Sequence, residues 1–399
     1  MNALGFAWRS LVRQPARATL GVLGVAAVGA LLLDMLMLSQ GLIVSMQDLL
    51  DRGGWDVRVS AGELPRASGR MQNAGAAADE IARLPAVRSV LLVRFADARL
   101  ERDGRRPLPV SFEGVAFYGD AGGTQPVNWL VLRGRDATGP GEVVVNEAIA
   151  ETLGIEAGSQ ITLRASCVAE REALPPTRLR VTGVAEFPFE ATSENTVGGS
   201  IEALARACGG NAGDDADLIL VGAQDDPDVT VAAIGAILPG VYAATNADVV
   251  GRLQETGFTY FRQISTVLTT VTVSFAALLI AVLLTVSVNQ RLGEVAALRA
   301  LGFTRARVVK DVLSESALIV GAGGLLSLPL GLLLASGLDR ILKDMPGIPA
   351  SLHFFVFETQ ALVLHVALLA ATALLAAAYP MRVVSRLPIA ATLRNEVIG

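Results

Sequence analysis

Four stretches of this 399-residue chain are too long and too apolar to belong to the core of an ordinary soluble domain. A helix that crosses a bilayer needs about 20 mostly apolar residues. Residues 18–44 meet that length with one interruption, Asp34; residues 264–288 carry no charge at all. Residues 312–338 contain Glu315 near their start, and 361–379 contain His365 as their only charged or imidazole group. Composition agrees: charged residues make up 18% of the chain, against about 25% in soluble domains. The first run is too long for the apolar part of a signal peptide and follows Arg9, Arg13 and Arg17, so it reads as an uncleaved anchor.

The basic residues set the orientation, because short cytoplasmic segments are enriched in Lys and Arg. Residues 1–17 hold three arginines and no acid. Residues 289–311 hold Arg291, Arg299, Arg305, Arg307 and Lys310 against Glu294 and Asp311, and the tail 380–399 holds Arg382, Arg386 and Arg394 against Glu396. Those three segments are expected inside. Residues 45–263, where acids outnumber bases, and the short loop 339–360 are then outside, with both termini cytoplasmic. The fold class read from this pattern is an α-helical membrane bundle of four transmembrane helices with an inserted α+β extracytoplasmic domain.

The outer segment has the texture of a globular domain. Trp55–Ser60 alternates as a half-buried strand, Ser89–Phe95 reads as a second strand, and Asp103-Gly104 suits a tight hairpin. Glu142–Asn146 reads as a strand entering a helix that Gly154 terminates. Gln160–Ala165, Leu179–Phe187 and Leu218–Val221 read as strands, and 226–238 as a helix. Helical stretches border the membrane at Ile43–Leu50, continuing the first span, and at about Ala247–Gln263, entering the second.

Catalytic signatures are missing. His353 and His365 are the only histidines and are too far apart for a helical zinc motif. A Walker A loop needs Gly-Lys-Ser/Thr to cradle phosphates, and the only lysines, Lys310 and Lys343, follow Val309 and Leu342. No enzyme activity, bound cofactor or metal is expected of this chain, and no basic stripe suits nucleic acid. Asp214, Asp215, Asp217, Asp225, Asp226 and Asp228 cluster, but Leu220 stands where a calcium loop needs glycine, so they read as a solvated loop and a helix start. Cys167 and Cys208 both fall outside the cytoplasm, where a disulfide or two free thiols are the open readings. Asp34, Glu315 and His365 are intramembrane polar groups, costly there and functional candidates by default, with helix-interface or helix-end solvation as the structural reading. Gly323, Ser327, Gly331 and Ala335 recur every four residues, which suits close helix packing in lipid.

The most distinctive segment is 289–304, NQRLGEVAALRALGFT. Leu292, Val295, Leu298 and Leu301 recur on one side of a short amphipathic helix, Arg291, Glu294 and Arg299 occupy more polar positions, and Gly302 ends it. Such a helix on the cytoplasmic surface presses an apolar ridge into a partner's groove or rests on lipid.

This stretch resembles the motif of the MacB/FtsX-like permeases of ABC transporters, with Glu294 before an apolar residue and an Arg299-Ala300-Leu301-Gly302 core. Leu313–Leu318, the glycine-rich third span, the end from Tyr379-Pro380 to Glu396, and the start from Trp8-Arg9 into an apolar helix resemble the same family. The resemblance implies a mechanotransmission permease in the bacterial cytoplasmic (inner) membrane. It implies a dimer with a second permease copy or paralogue, and a separate cytoplasmic ABC ATPase that holds ATP-Mg. Arg291, Glu294, Leu298, Arg299, Leu301 and Gly302 would form the ATPase coupling helix. Outside, an adaptor, lipoprotein or hydrolase would be the partner, with membrane lipid around the spans. Export or extraction of lipoprotein, peptide, lipid or hydrophobic compound is the leading expectation. A non-transporting regulator that activates a cell-wall hydrolase and a membrane-anchored sensor without an ATPase are the alternatives. The motif departs from the family pattern in having little charge at Asn289-Gln290-Arg291 and Val at 295.

Overall fold

The computed structural model describes residues 12–13, 15–51, 53–63, 69–101, 106–119, 126–166, 176–191, 194–209, 213–256, 259–289, 304–343, 352–356 and 359–386. They fall into two compact units. One comprises residues up to Leu42, Thr259–Arg340 and His353 onward; the other comprises Ile43–Phe258 and Ile341–Leu352.

The first unit is helical. It contains most of α1 (Pro15–Asp51), then α7 (Thr259–Asn289), α8 (Arg305–Lys343) and α9 (Thr359–Arg386). Apolar side chains face outward along α7 (Ile264, Val267, Val271, Phe275, Leu278) and along α8 and α9 (Leu325, Leu333, Val363, Leu374), the reverse of a soluble bundle. Among the described residues, three helices are long and apolar enough to cross a membrane: Ala18–Asp51, Gln263–Val282 and Ala317–Lys343. Within the 28-residue α9 the apolar part, Thr359–Leu375, is shorter than that. The helices outrun the apolar runs that mark them in the sequence, because intrahelical hydrogen bonding continues into polar residues where hydropathy stops. Pro329 sits inside α8.

The second unit is α/β. Its strands are β1 (Val57–Ser60), β2 (Met71–Gln72), β3 (Val87–Leu100), β4 (Leu108–Tyr118), β5 (Leu130–Gly134), β6 (Glu142–Val145), β7 (Gln160–Ser166), β8 (Thr177–Glu186), β9 (Thr196–Ser200), β10 (Asp215–Ala216), β11 (Leu218–Ala223) and β12 (Tyr242–Thr245). Its helices, besides the end of α1, are α2 (Ala74–Ala82), α3 (Glu147–Leu153), α4 (Ile201–Ala207), α5 (Pro227–Ile237) and α6 (Asn246–Thr256). The main sheet runs β12-β1-β11-β3-β4-β9-β6-β8-β5, and β7 pairs with both β3 and β8. Strands β3, β4, β9, β6, β8 and β7 therefore form a closed hydrogen-bonded ring.

The 14-residue β3 belongs to both halves of the unit. Val90–Val93 pair with β11 and are buried on both faces, so they read as an unbroken apolar run. From Phe95 the strand alternates exposed and buried while Asp97–Leu100 pair with β7. Ala96, Ala98, Leu100, Phe112, Leu163, Val181 and Val197 then form the ring's core with Ile149 and Leu204 of α3 and α4. Helices α2 and α5 cover the other half through Ala78, Ile81 and Ile234. The expected strand–helix junction is present: Asn146 caps α3 by accepting Ile149 N–H at 3.0 Å, and Gly154 follows at φ 64°. The expected hairpin joins β3 to β4 with Leu100 opposite Leu108, its turn at 102–105 lying outside the described residues.

One carboxyl is enclosed by this fold. Glu113 of β4 is 2% exposed and accepts from Asn128 Nδ2 at 2.9 Å. Burial pushes its pKa up to about 7, with Glu190 adding to the rise and Asn128 opposing it. Glu190, partly buried, is also pushed to about 7, chiefly by burial, although Thr196 and Asn146 bond to it. A carboxyl whose folded pKa is raised stabilises most below its unfolded value, near 4.3, and that contribution is lost as pH rises to about 7. The thermal midpoint of the full chain in detergent is expected to fall between about pH 4 and 7. Glu113→Gln should flatten that dependence by the order of 3 kcal/mol; an unchanged slope would refute the assignment.

Candidate functional site

Two helices of the second unit adjoin membrane-length segments in sequence, and within that unit they meet at one edge of the sheet. The end of α1 and the helix α6 share a small core of Leu50, Ala244, Val249 and Val250, with Ile43, Met46 and Leu253 against it. The helix α6 begins at a reciprocal cap: Thr245 N–H bonds Asp248 Oδ2 at 3.2 Å, and Asp248 N–H bonds Thr245 Oγ1 at 3.1 Å. Next to it, the buried Asn246 donates through Nδ2 to Asp51 Oδ1 at 2.7 Å and to Trp55 O at 2.8 Å. Its own N–H bonds Asp56 O at 3.0 Å. Arg58 of β1, 7% exposed, reaches Leu50 O at 3.4 Å. Burial lowers its pKa to about 10, against the pull of Asp51. One amide and one guanidinium thus lock the last turn of α1 to β1 and to the start of α6. The Thr-Asn-Ala-Asp sequence marks a helix start; nothing local in it reveals the contacts of Asn246 with residues almost two hundred positions away. The helix expected over 247–263 is described as α6 to Thr256 and α7 from Thr259.

The expected coupling helix lies outside the described residues, so Arg291, Glu294, Leu298, Arg299, Leu301 and Gly302 have no structural account. Its borders are described: α7 ends at Asn289 and Thr304 immediately precedes α8.

In the helical unit the small-residue row of α8 faces α1. A Cβ on Gly323 would lie 2.6 Å from Val25 Cβ, and one on Gly331 would lie 3.0 Å from Leu33 Cδ2. Ser327 meets Gly29, whose added Cβ would be 2.8 Å from Ser327 Cβ. Ala335 packs with Leu33 and Met37. Ser327 Oγ also lies 3.0 Å from His365 Nε2, joining α8 to α9. Asp34 is fully buried, and neither carboxylate oxygen has a partner among the described residues. Glu315 lies on α8, its side chain outside the described ones.

The aspartate cluster is corrected by the structure. Asp214, Asp215 and Asp217 are not a merely solvated loop: Asp215 pairs with the buried Arg94 at 2.7 Å and with Arg70 at 3.3 Å, Asp217 pairs with Arg70 at 3.2 Å, and Asp214 Oδ1 accepts Gly75 N–H at 3.0 Å. The partners come from β3 (Arg94), from the segment before β2 (Arg70) and from the start of α2 (Gly75), a juxtaposition that only the tertiary fold creates. Asp226 does start a helix, capping α5 ahead of Pro227. Among the described residues no group of three or more His, Cys, Asp or Glu side chains is placed to hold a metal. Cys208, buried at the end of α4, is disulfide-bonded, while Cys167 lies outside the described residues.

Residues 18–238 match the MacB-like periplasmic core domain, and residues 266–389 match the FtsX-like permease C-terminal domain. The first match alone covers more than half of the chain. The protein belongs to the MacB/FtsX-like family of ABC-type permeases, membrane proteins that work with a cytoplasmic ABC ATPase. Among solved structures, the periplasmic region of MacB from Actinobacillus actinomycetemcomitans is 12% identical, with a TM-score of 0.37 over 52% of this chain and 99% of that one. The extracellular domain of the noncanonic ABC-type transporter YknZ from Gram-positive bacteria is 11% identical, with a TM-score of 0.33 over 48% and 98%. A domain of a putative permease protein from Porphyromonas gingivalis is 12% identical, with a TM-score of 0.30 over 48% and 88%. Comparison with curated proteins gives no match.

The contacts of α8 predict a contrast between neighbouring glycines. Gly323→Leu must displace Val25 or part the helices, and is expected to cost about 1–3 kcal/mol. Gly321→Leu, where an added Cβ meets nothing within 4 Å, should stay within about 0.5 kcal/mol. Thermal unfolding of the detergent-solubilised variants measures both, and equal losses would refute the packing assignment.

Proposed function

We propose that this chain is the permease subunit of an ABC transporter with a separate ATPase, and that it delivers the work of ATP hydrolysis to its outer α/β unit. In this reading the chain crosses the cytoplasmic membrane four times, with α9 as the fourth span and both termini inside. It assembles with a second permease copy or paralogue, and the ATPase seats on the segment 289–304 through Arg291, Glu294, Leu298, Arg299, Leu301 and Gly302. ATP-Mg belongs to the ATPase, and the chain itself carries no catalytic group. The cargo class is lipoprotein, peptide, lipid or a hydrophobic compound acted on from the outer side.

The observation that carries the reading is the pinned outer end of α1. A helix of 37 residues is about 55 Å long, well beyond the roughly 30 Å of a hydrocarbon core. The excess reaches the Asn246–Asp51–Arg58 joint, where hydrogen bonds and a shared apolar core fix it to the sheet and to α6. Displacement of α1 or α6 is thereby transmitted to the strands β1 and β12, which they adjoin in sequence, without substrate passing between the helices.

Affinity capture from native membranes in mild detergent should recover a small P-loop ATPase. Leu298→Asp with Leu301→Asp should abolish recovery while leaving the protein in the membrane, and Glu294→Lys should reduce coupled ATPase activity. Failure to recover an ATPase under conditions that preserve other membrane complexes would overturn the proposal. With the ATPase recovered, Asn246→Ala should keep the partner bound but weaken the response of ATP turnover to outer-side partners. Retention of the full response would show that the joint is not the route.

A further inference from the structure

Two short segments of the α/β unit close over the same spot on its sheet. An added Cβ on Gly198 of β9 would lie 2.7 Å from Phe187 Cε1 and 3.1 Å from Trp129 Cε3, so both rings rest on that strand. The rings meet with centroids 5.4 Å apart and planes at 50°. Trp129 lies just before β5, and Phe187 opens the turn Phe187–Ala191 that follows β8. Glu113 of β4 stands in register with Gly198, and Asn128, next to Trp129, donates to it at 2.9 Å.

The turn is fastened through Glu190, which accepts from Asn146 Nδ2 and from the Thr196 side chain. Asn146 also donates to Glu194 O at 2.7 Å, and Glu194 Oε2 accepts Ala191 N–H at 3.1 Å. Between these ties Phe189 sits at φ 64°, a conformation that a bulky residue keeps only where its surroundings impose it. Its ring is 39% exposed, so the bonds on either side, and not burial of Phe189, hold it there.

The donors to Glu113 and Glu190 are neutral amides and a hydroxyl. The bases of the adjoining strands are engaged elsewhere: Arg94 of β3 with Asp215, and Arg133 and Arg135 of β5 with Glu147 and Glu142. The charges that act on the pair are acidic, Glu190 on Glu113 and Glu194 on Glu190. Asp136 is spent on Trp129 Nε1, and Glu186 at the end of β8 is exposed. A buried carboxylate with no cation is costly, and a second one beside it raises the cost. Protonation removes that cost without breaking the bonds that close the turn, because a carboxylic acid still accepts.

We propose that the turn Phe187–Ala191 is a proton-operated latch: protonated, the Glu113–Glu190 pair keeps it shut on Gly198, and with both carboxylates ionised it lifts. Lifting takes Phe187 off Trp129 and lets Phe189 leave the left-handed region. Both carboxyls have raised values in the closed state, so closure is complete below about pH 4 and is lost as pH rises through about 7. The latch lies wholly within the α/β unit and is independent of how the ATPase couples.

Hydrogen exchange of the full chain in nanodiscs at about pH 5.5 and 8, corrected for the intrinsic pH dependence of exchange, tests this. Peptides covering 187–191 are expected to lose protection of the order of twentyfold at the higher pH, the change that one such carboxyl undergoes over that range. Peptides from α2, which shares none of these residues, should keep theirs. Glu113→Gln combined with Glu190→Gln should hold the turn shut at both pH values. Glu190→Gln alone, at a part-exposed position, should reduce the loss and stands even if the double variant does not fold. Equal protection of 187–191 at both pH values would overturn the proposal. So would an equal loss in α2, which would mark loosening of the whole unit, or an undiminished loss in Glu190→Gln.

Discussion

A single buried amide carries most of the organisation at the outer end of α1. Asn246 spends both protons of its side chain on partners from the beginning of the domain, Asp51 and Trp55 O, and its backbone N–H on Asp56. Inside a protein such bonds are worth more than in water, and leaving either side unmet is expensive. Arg58 adds a charged donor to the carbonyl of Leu50, at a site buried enough to lower its own pKa. The apolar contacts of Leu50, Val249 and Val250 exclude water from the same place. The first and last strands of this sheet edge, β1 and β12, are thus held together with the ends of the helices that follow or precede them.

The helical unit is held by different physics. Lipid tails are as apolar as leucine, so helices gain little by hiding leucine from them and associate through close approach and hydrogen bonds. Gly323 and Gly331 supply the approach to α1, with Ser327 against Gly29, and Ser327 with His365 supplies a polar tie to α9. That leaves the leucines and valines of α7, α8 and α9 pointing outward. The same glycines that permit packing on one side of α8 have neighbours, Gly321 and Gly324, that open a groove on the other. Asp34, wholly buried without a partner among the described residues, is a group of the bundle that this packing does not account for.

Legibility followed the range of the interaction. The Asn146 cap, Gly154 at positive φ, the Asp226-Pro227 helix start and the strands of β6, β7 and β11 depend on neighbours within a few residues, and each shows in the local sequence. The strands β5 and β9 and the helices α2 and α4 do not. Thr196–Ser200 contains Gly198 and Gly199, poor strand formers that are tolerated because the side chains of Phe187, Trp129 and Val143 crowd both positions. Ala74–Ala82 has a single large apolar residue, Ile81, where a run of them would announce a helix; its other buried residues are alanines, packed with β3 and β11. The acids of 214–217 looked solvated because Arg70 and Arg94 are far away in sequence.

The sequence by itself determined the division into membrane helices and an outer domain, and the family through the 289–304 motif and the segments flanking it. Both are properties of composition and short spacing: an apolar run must leave water, and a family motif is a set of residue types at fixed short intervals. Tertiary structure alone decided which side of each strand is buried, that β7 closes a ring with β3 and β8, that α8 lays its glycines on α1, and that Asn246 finds Asp51. Those outcomes depend on pairs of residues brought together across long loops, and no local pattern records which distant partner will satisfy a buried donor.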